Sequence, residues 1–130
     1  LPAADDFLDL DPEAMARAEA ALANLSGRYI AWAEADLARL EACWALVMAE
    51  PDQRPSHLAT LFQIAHDMKG QGSTFDYPLV SELGQRLCRL LETRPEALEP
   101  MAALVAALGR VIRERLSGDG GAIGNTLLGE

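Results

Sequence analysis

At 130 residues the chain suits one domain with its own core, too short for two independent cores and long enough to fold without disulfide or metal staples. Half of its residues are hydrophobic, but these are chiefly Ala and Leu with few aromatic or β-branched residues, which predicts an all-α fold. The net charge of -9, with eleven Lys and Arg spread among twenty acids, argues against a nucleic-acid partner and leaves no basic patch for an anionic membrane.

No apolar run approaches the roughly 18 to 20 uncharged residues that span a bilayer. The acidic start, Leu1 to Asp11, lacks the basic and apolar regions of a secretory signal. These features predict a cytoplasmic protein without membrane attachment. Apolar positions recur at three-four spacing in five stretches, the period required by helices packed side by side at shallow angles. Asp11-Pro12-Glu13 supplies an N-cap and a proline at the first helical position, and Met15, Ala18, Leu22 and Leu25 form the first stripe. At Ser26-Gly27 the stripe slips by one residue and resumes at Ile30, Ala33, Leu37, Leu40, Trp44 and Val47, which fits either one kinked helix or two closely joined ones.

Pro51 and Pro55 end that segment and start the next, whose stripe is Leu58, Leu61, Ala65, Met68, Gly72 and Phe75. Asp76-Tyr77-Pro78 makes a turn and a new helix start, followed by Val80, Leu83, Leu87 and Leu90, with Leu79 and Leu91 widening the face. Thr93-Arg94-Pro95 closes that helix. The last stripe is Leu98, Met101, Val105, Leu108 and Ile112, with Pro100 in the first turn and an end expected near Ser117-Gly118. The expected architecture is an antiparallel four-helix bundle with an additional or kinked N-terminal helix. It forms a single domain over residues 1–117, followed by a glycine-rich tail over 118–130 in which Ile123, Leu127 and Leu128 are available for docking. Cys43 and Cys88 lie inside helices without a metal-ligand spacing and read as reduced, packed residues.

The third stretch carries the chemistry. It contains His66-Asp67-Met68-Lys69-Gly70, and at about 100° per residue His66 stands well off the Leu58/Leu61/Ala65/Met68 stripe. Its neighbours on the outward face are Ala59, Phe62, Gln63, Lys69, Gly70 and Ser73, mostly small or polar, so the ring is left accessible. A neutral imidazole is nucleophilic near neutral pH, and the phosphoramidate it forms is labile enough to be passed on. Lys69, one turn on, sets an ammonium beside incoming phosphoryl oxygens, where charge stabilisation is the main help a protein can give. Gly70 costs a helix about 1 kcal/mol relative to Ala, and its missing side chain clears space for a partner's active site. Taken alone each residue has a plainer reading: a surface histidine, a solvated lysine, a glycine for close helix packing. Their combination on one clear face outweighs those readings. Ala59, Phe62, Gln63 and Ser73 are read as partner contacts.

His66-x-Met68-Lys69-Gly70, with Phe75 closing the helix and a Leu- and Cys-rich helix ending Leu90-Leu91-Glu92, resembles the histidine-containing phosphotransfer family over Pro55 to Glu92, the outer helices being similar in architecture only. The resemblance implies a four-helix antiparallel bundle with His66 as phosphoacceptor through Nε2, Lys69 as charge partner and Gly70 as clearance residue. It implies a two-component phosphorelay carrier, an intermediate rather than a stand-alone enzyme, working as a monomer. The implied partner is the receiver domain of a response regulator or hybrid histidine kinase. No metal or cofactor belongs to the chain itself, since the receiver brings Mg²⁺ and the phosphoaspartate. Two positions depart from the family pattern: Gln71-Gly72 replaces two small residues, and Asp76 stands where a second glycine is common.

Other readings fit less well. His57 lies nine residues before His66, not at the one-turn spacing of a paired metal site, and reads as structural or incidental. The His66-Asp67 pair is shared with metal-dependent phosphohydrolases, but two histidines in all are too few for their ligand sets. A sensor-kinase dimerisation and phosphoacceptor domain usually has a proline soon after its histidine and a glycine-rich nucleotide site downstream, and neither follows here. A module that binds receivers without being phosphorylated is the remaining alternative.

Overall fold

Asp11 starts the first helix: its carboxylate accepts a hydrogen bond from the Ala14 amide at 2.6 Å, and Pro12 fills the first helical position, where a missing N–H costs nothing. The computed structural model describes residues 11–72 and 74–117, and the glycine-rich tail expected over 118–130 lies outside them. Among the described residues the chain forms four α-helices and no strand: α1 (Pro12–Ala49), α2 (Arg54–Gly72), α3 (Pro78–Thr93) and α4 (Leu98–Arg113), with a 3₁₀ turn, Pro51–Gln53, between the first two. Short connections make successive helices antiparallel neighbours. Each helix packs on the next and α4 closes back on α1, giving the expected four-helix bundle.

The first two stripes belong to one helix. α1 runs unbroken through Ser26-Gly27, because a single glycine costs about 1 kcal/mol without removing a backbone hydrogen bond. The slip in the stripe marks where α1 enters the bundle. Tyr29 is its first buried side chain, followed by Ala33, Leu37, Leu40, Cys43 and Val47. Before it, Met15, Leu22 and Leu25 are 50%, 65% and 47% exposed, so the first stripe does not face the core. Helical periodicity identifies an apolar face but not whether another element lies opposite it.

The core joins all four helices. Leu40 and Val47 of α1, Leu61 and Ala65 of α2, Leu83 and Leu87 of α3, and Met101 and Leu108 of α4 are essentially inaccessible, and no described polar or charged residue is buried with them. Both cysteines are buried and free, and burial pushes each thiol's pKa up. The Cys43 thiol donates to the His57 carbonyl at 3.2 Å, while the His57 ring lies 2.6 Å from the Glu50 carboxylate across the α1–α2 turn.

Phe75 was expected to end the α2 stripe, yet α2 stops at Gly72 and Phe75 falls in the following turn. Its ring stacks on Tyr29 at 5.0 Å, and Tyr77 lies against Tyr29 at 5.1 Å, so three rings seal this end of the bundle. Asp76, the departure from the usual glycine, has φ 65°. Asp is one of the few residues that tolerate the left-handed region, and the turn it makes lets the Tyr77 N–H reach the Gly72 carbonyl at 2.7 Å. α4 ends at Arg113, short of the expected Ser117-Gly118. Arg115 takes φ 52°, Leu116 N–H bonds to the Val111 carbonyl and Arg115 N–H to that of Ile112, a Schellman ending built on arginine instead of the glycine that normally signals one.

Burial, with smaller contributions from nearby Tyr77 and Asp36, pushes the Tyr29 phenol up to about 12 from 10.0. The unfolded chain releases this proton near 10 and the folded chain holds it to about 12, so the associated stability is intact below the lower value and lost as pH rises between the two. Thermal melts across this alkaline window should show a steeper fall for the native chain than for Tyr29→Phe. Parallel curves would remove Tyr29 from the alkaline transition.

Candidate functional site

α2 places His66 in its second half with the ring 56% exposed, off the buried Leu61/Ala65/Met68 face as its helical phase requires. Phe62, one turn earlier, stacks on the imidazole with centroids 6.0 Å apart and planes 24° from parallel. The Asp67 carboxylate lies 4.0 Å from Nδ1. Among the described residues Nε2 has no hydrogen-bond partner. One ring nitrogen is therefore turned toward an acid of its own helix, and the other is open.

Lys69 is the only lysine in a chain whose other cations are all arginine, and it stands one turn after His66. It is half-buried and lines an open hollow of about 310 Å³ with Gln85, Cys88, Arg89, Glu92 and Thr93 of α3. Its positive charge partly opposes the burial that raises the Cys88 thiol pKa. Gly70 is exposed, and a Cβ added there meets nothing within 4 Å. Packing among the described residues therefore gives no reason for this glycine.

The remaining face residues are grouped by the fold. Ala59, Phe62 and Gln63 line an open groove of about 580 Å³ with Pro55, Leu58, Leu91, Glu92 and Pro95, between the first half of α2 and the end of α3. Phe62 connects the two features, since it both lines the groove and stacks on His66. Ser73, the last of the expected contacts, lies outside the described residues.

Sequence reasoning missed the support beneath the site. The Ser81 hydroxyl of α3 donates to the Lys69 carbonyl at 2.6 Å, occupying a group that the end of α2 cannot pair internally. A Cβ on Gly84 would stand 3.2 Å from both the Ala65 carbonyl and the Lys69 Cβ, so this glycine lets α3 approach the segment carrying His66 and Lys69. The available signal was a glycine inside the strongly amphipathic α3 pattern, a position that usually marks close helix approach. Gln85 and Arg89, which share the hollow with Lys69, were also not singled out.

No described helix is long and apolar enough to cross a membrane. Comparison with curated proteins and with solved structures gives no match. A family model of the Hpt domain matches residues 4–118, a span that contains all four helices, His66, Lys69 and Gly70. The chain belongs to the Hpt domain family.

Proposed function

We propose that this domain carries a phosphoryl group on Nε2 of His66, taking it from the phosphoaspartate of one receiver domain and yielding it to the aspartate of another. Hpt domains serve histidine phosphotransfer in phosphorelay signalling and interact with receivers. The observation that carries the finer reading is an exposed imidazole whose Nε2 is open among the described residues, beside a glycine that their packing does not need.

The step is an in-line exchange. The Nε2 lone pair forms the N–P bond as the aspartyl O–P bond breaks, and the receiver's carboxylate leaves with the electron pair. Asp67 lies on the Nδ1 side of the ring, 4.0 Å away, so the approach to the Nε2 lone pair is clear of it. Lys69 offsets the negative charge gathered around phosphorus. Mg²⁺ belongs to the receiver, and this chain is a phosphocarrier rather than a complete enzyme. The groove at Ala59, Phe62 and Gln63 suits an apolar helix face of the receiver, with Ser73 as a further contact.

The test mixes the purified domain with a phosphorylated receiver and Mg²⁺, follows label onto this chain and locates it by mass spectrometry without acid. Acid-labile, base-stable label on His66 supports the reading; receiver binding without label leaves an inert binding module. Lys69→Ala should slow transfer by about tenfold or more without stopping it, and an unchanged rate takes Lys69 out of the mechanism. Gly70→Ala should raise stability by about 1 kcal/mol. The same substitution should slow transfer from a receiver while leaving phosphorylation by a small donor such as phosphoramidate unchanged, and equal slowing of both would contradict the clearance role.

A further inference from the structure

We propose that the projecting start of α1 is a self-association surface, through which two copies of this chain pair by an antiparallel helix contact over residues 12–28. Every described residue from Pro12 to Arg28 is exposed apart from half-buried Ala14. The segment nevertheless begins with a formed N-cap and carries Met15, Ala18, Leu22 and Leu25 at the three-four-three spacing of a helix-pairing seam. It is about 25 Å long at the rise of an α-helix. As an exposed extension of α1 it draws little stability from tertiary packing, and Gly27 near its base weakens it further. Its apolar face needs a cover.

The seam continues an interface already in use. Met15, Leu22 and Tyr29 are seven residues apart, and Tyr29 is buried where α1 meets its own bundle. Below Tyr29 the same line lacks partners among the described residues. A second copy running antiparallel about Ala20 sets Met15 against the second copy's Leu25, and Leu22 against its Ala18, so a large side chain faces a small one at the centre. The second copy's helix then occupies the line that the bundle takes up from Tyr29 onward, and the two bundles lie at opposite ends. A parallel pair would drive both bundles into the same space. The exposed parts of these four side chains amount to on the order of 400 Å² per copy, so a pair covers on the order of 800 Å², below the roughly 1,200 Å² at which standard interfaces begin and in the range of weak, transient contacts. The product is a weak dimer, with Kd on the order of 10–100 μM, in place of the monomer implied by the family resemblance.

Sedimentation equilibrium of the full chain from about 1 to 500 μM, a range bracketing that Kd, should show the average mass rising toward two chains. Leu22→Glu should weaken association at least tenfold while phosphorylation of His66 is unchanged. If Leu22→Glu also loses helix by circular dichroism, paired cysteines decide: Met15→Cys with Leu25→Cys should cross-link two copies on oxidation, and Met15→Cys alone should not. A chain that stays monomeric throughout overturns the proposal and assigns the cover to another part of the chain or to a different protein. A dimer indifferent to Leu22→Glu, or cross-linked by Met15→Cys alone, overturns it as well. None of these outcomes depends on whether His66 carries phosphate.

Discussion

Replacing His66 with alanine should reduce acceptance of phosphate from a receiver to background while leaving the fold intact. The side chain is more than half exposed and its contacts are a loose stack on Phe62 and a 4.0 Å approach to Asp67, so its loss should change stability by less than about 0.5 kcal/mol. On the proposed mechanism the chemical loss should be total, because the transferred group needs a nitrogen nucleophile at that point. The other histidine, His57, is engaged with Glu50 at 2.6 Å and sits at the opposite end of α2. Circular dichroism melts and a label-transfer assay on the same preparation separate the two effects. Acid-labile label retained by His66→Ala would falsify the assignment, and mass spectrometry would then show which residue holds it.

The second large effect concerns a glycine that does not touch the reacting atoms. Gly72→Ala should destabilise the domain by about 2–4 kcal/mol, the sum of overpacking and weakened hydrogen bonds less the helix propensity gained. A Cβ there would lie 2.7 Å from both the Tyr77 carbonyl oxygen and the Ser81 hydroxyl, and 2.9 Å from the Ser81 amide nitrogen. Two of these three atoms are backbone, so α2 and the first turn of α3 must move apart. That movement strains the Tyr77–Gly72 bond at 2.7 Å and the Ser81–Lys69 bond at 2.6 Å together. A melting temperature lower by on the order of 10 °C or more is expected for a domain of this size, with slower transfer as the Lys69 end of α2 loosens. Gly70→Ala, two residues away in the same helix, should move stability in the opposite direction. If both substitutions shift the melting temperature alike, the contrast between a packed and an open glycine is wrong.

The departures from the family pattern in the α2–α3 turn gain a physical account. Gln71 is exposed while Gly72 meets α3, so the need for a small residue falls on one position of the pair. Asp76 performs the left-handed turn that glycine commonly would, at the cost in strain that an L-residue carries there.

Sequence alone determined the helical class, the four packed stripes from Ile30 onward, the direction of His66 and its relation to Lys69 and Gly70. These are properties of a single helix, whose 3.6-residue period fixes which side chains share a face before anything packs on it. Only the tertiary structure decided what lies across from each face. It left Met15, Leu22 and Leu25 without cover among the described residues, joined Phe62 to a groove whose other wall is Leu91 and Pro95, and set Ser81 on the Lys69 carbonyl. It also distinguished Gly72 and Gly84, which α3 and α2 press against, from Gly70, which faces open space. A glycine reads the same in sequence in either setting, because the distance to a residue many positions away is set by how helices dock and not by the local period.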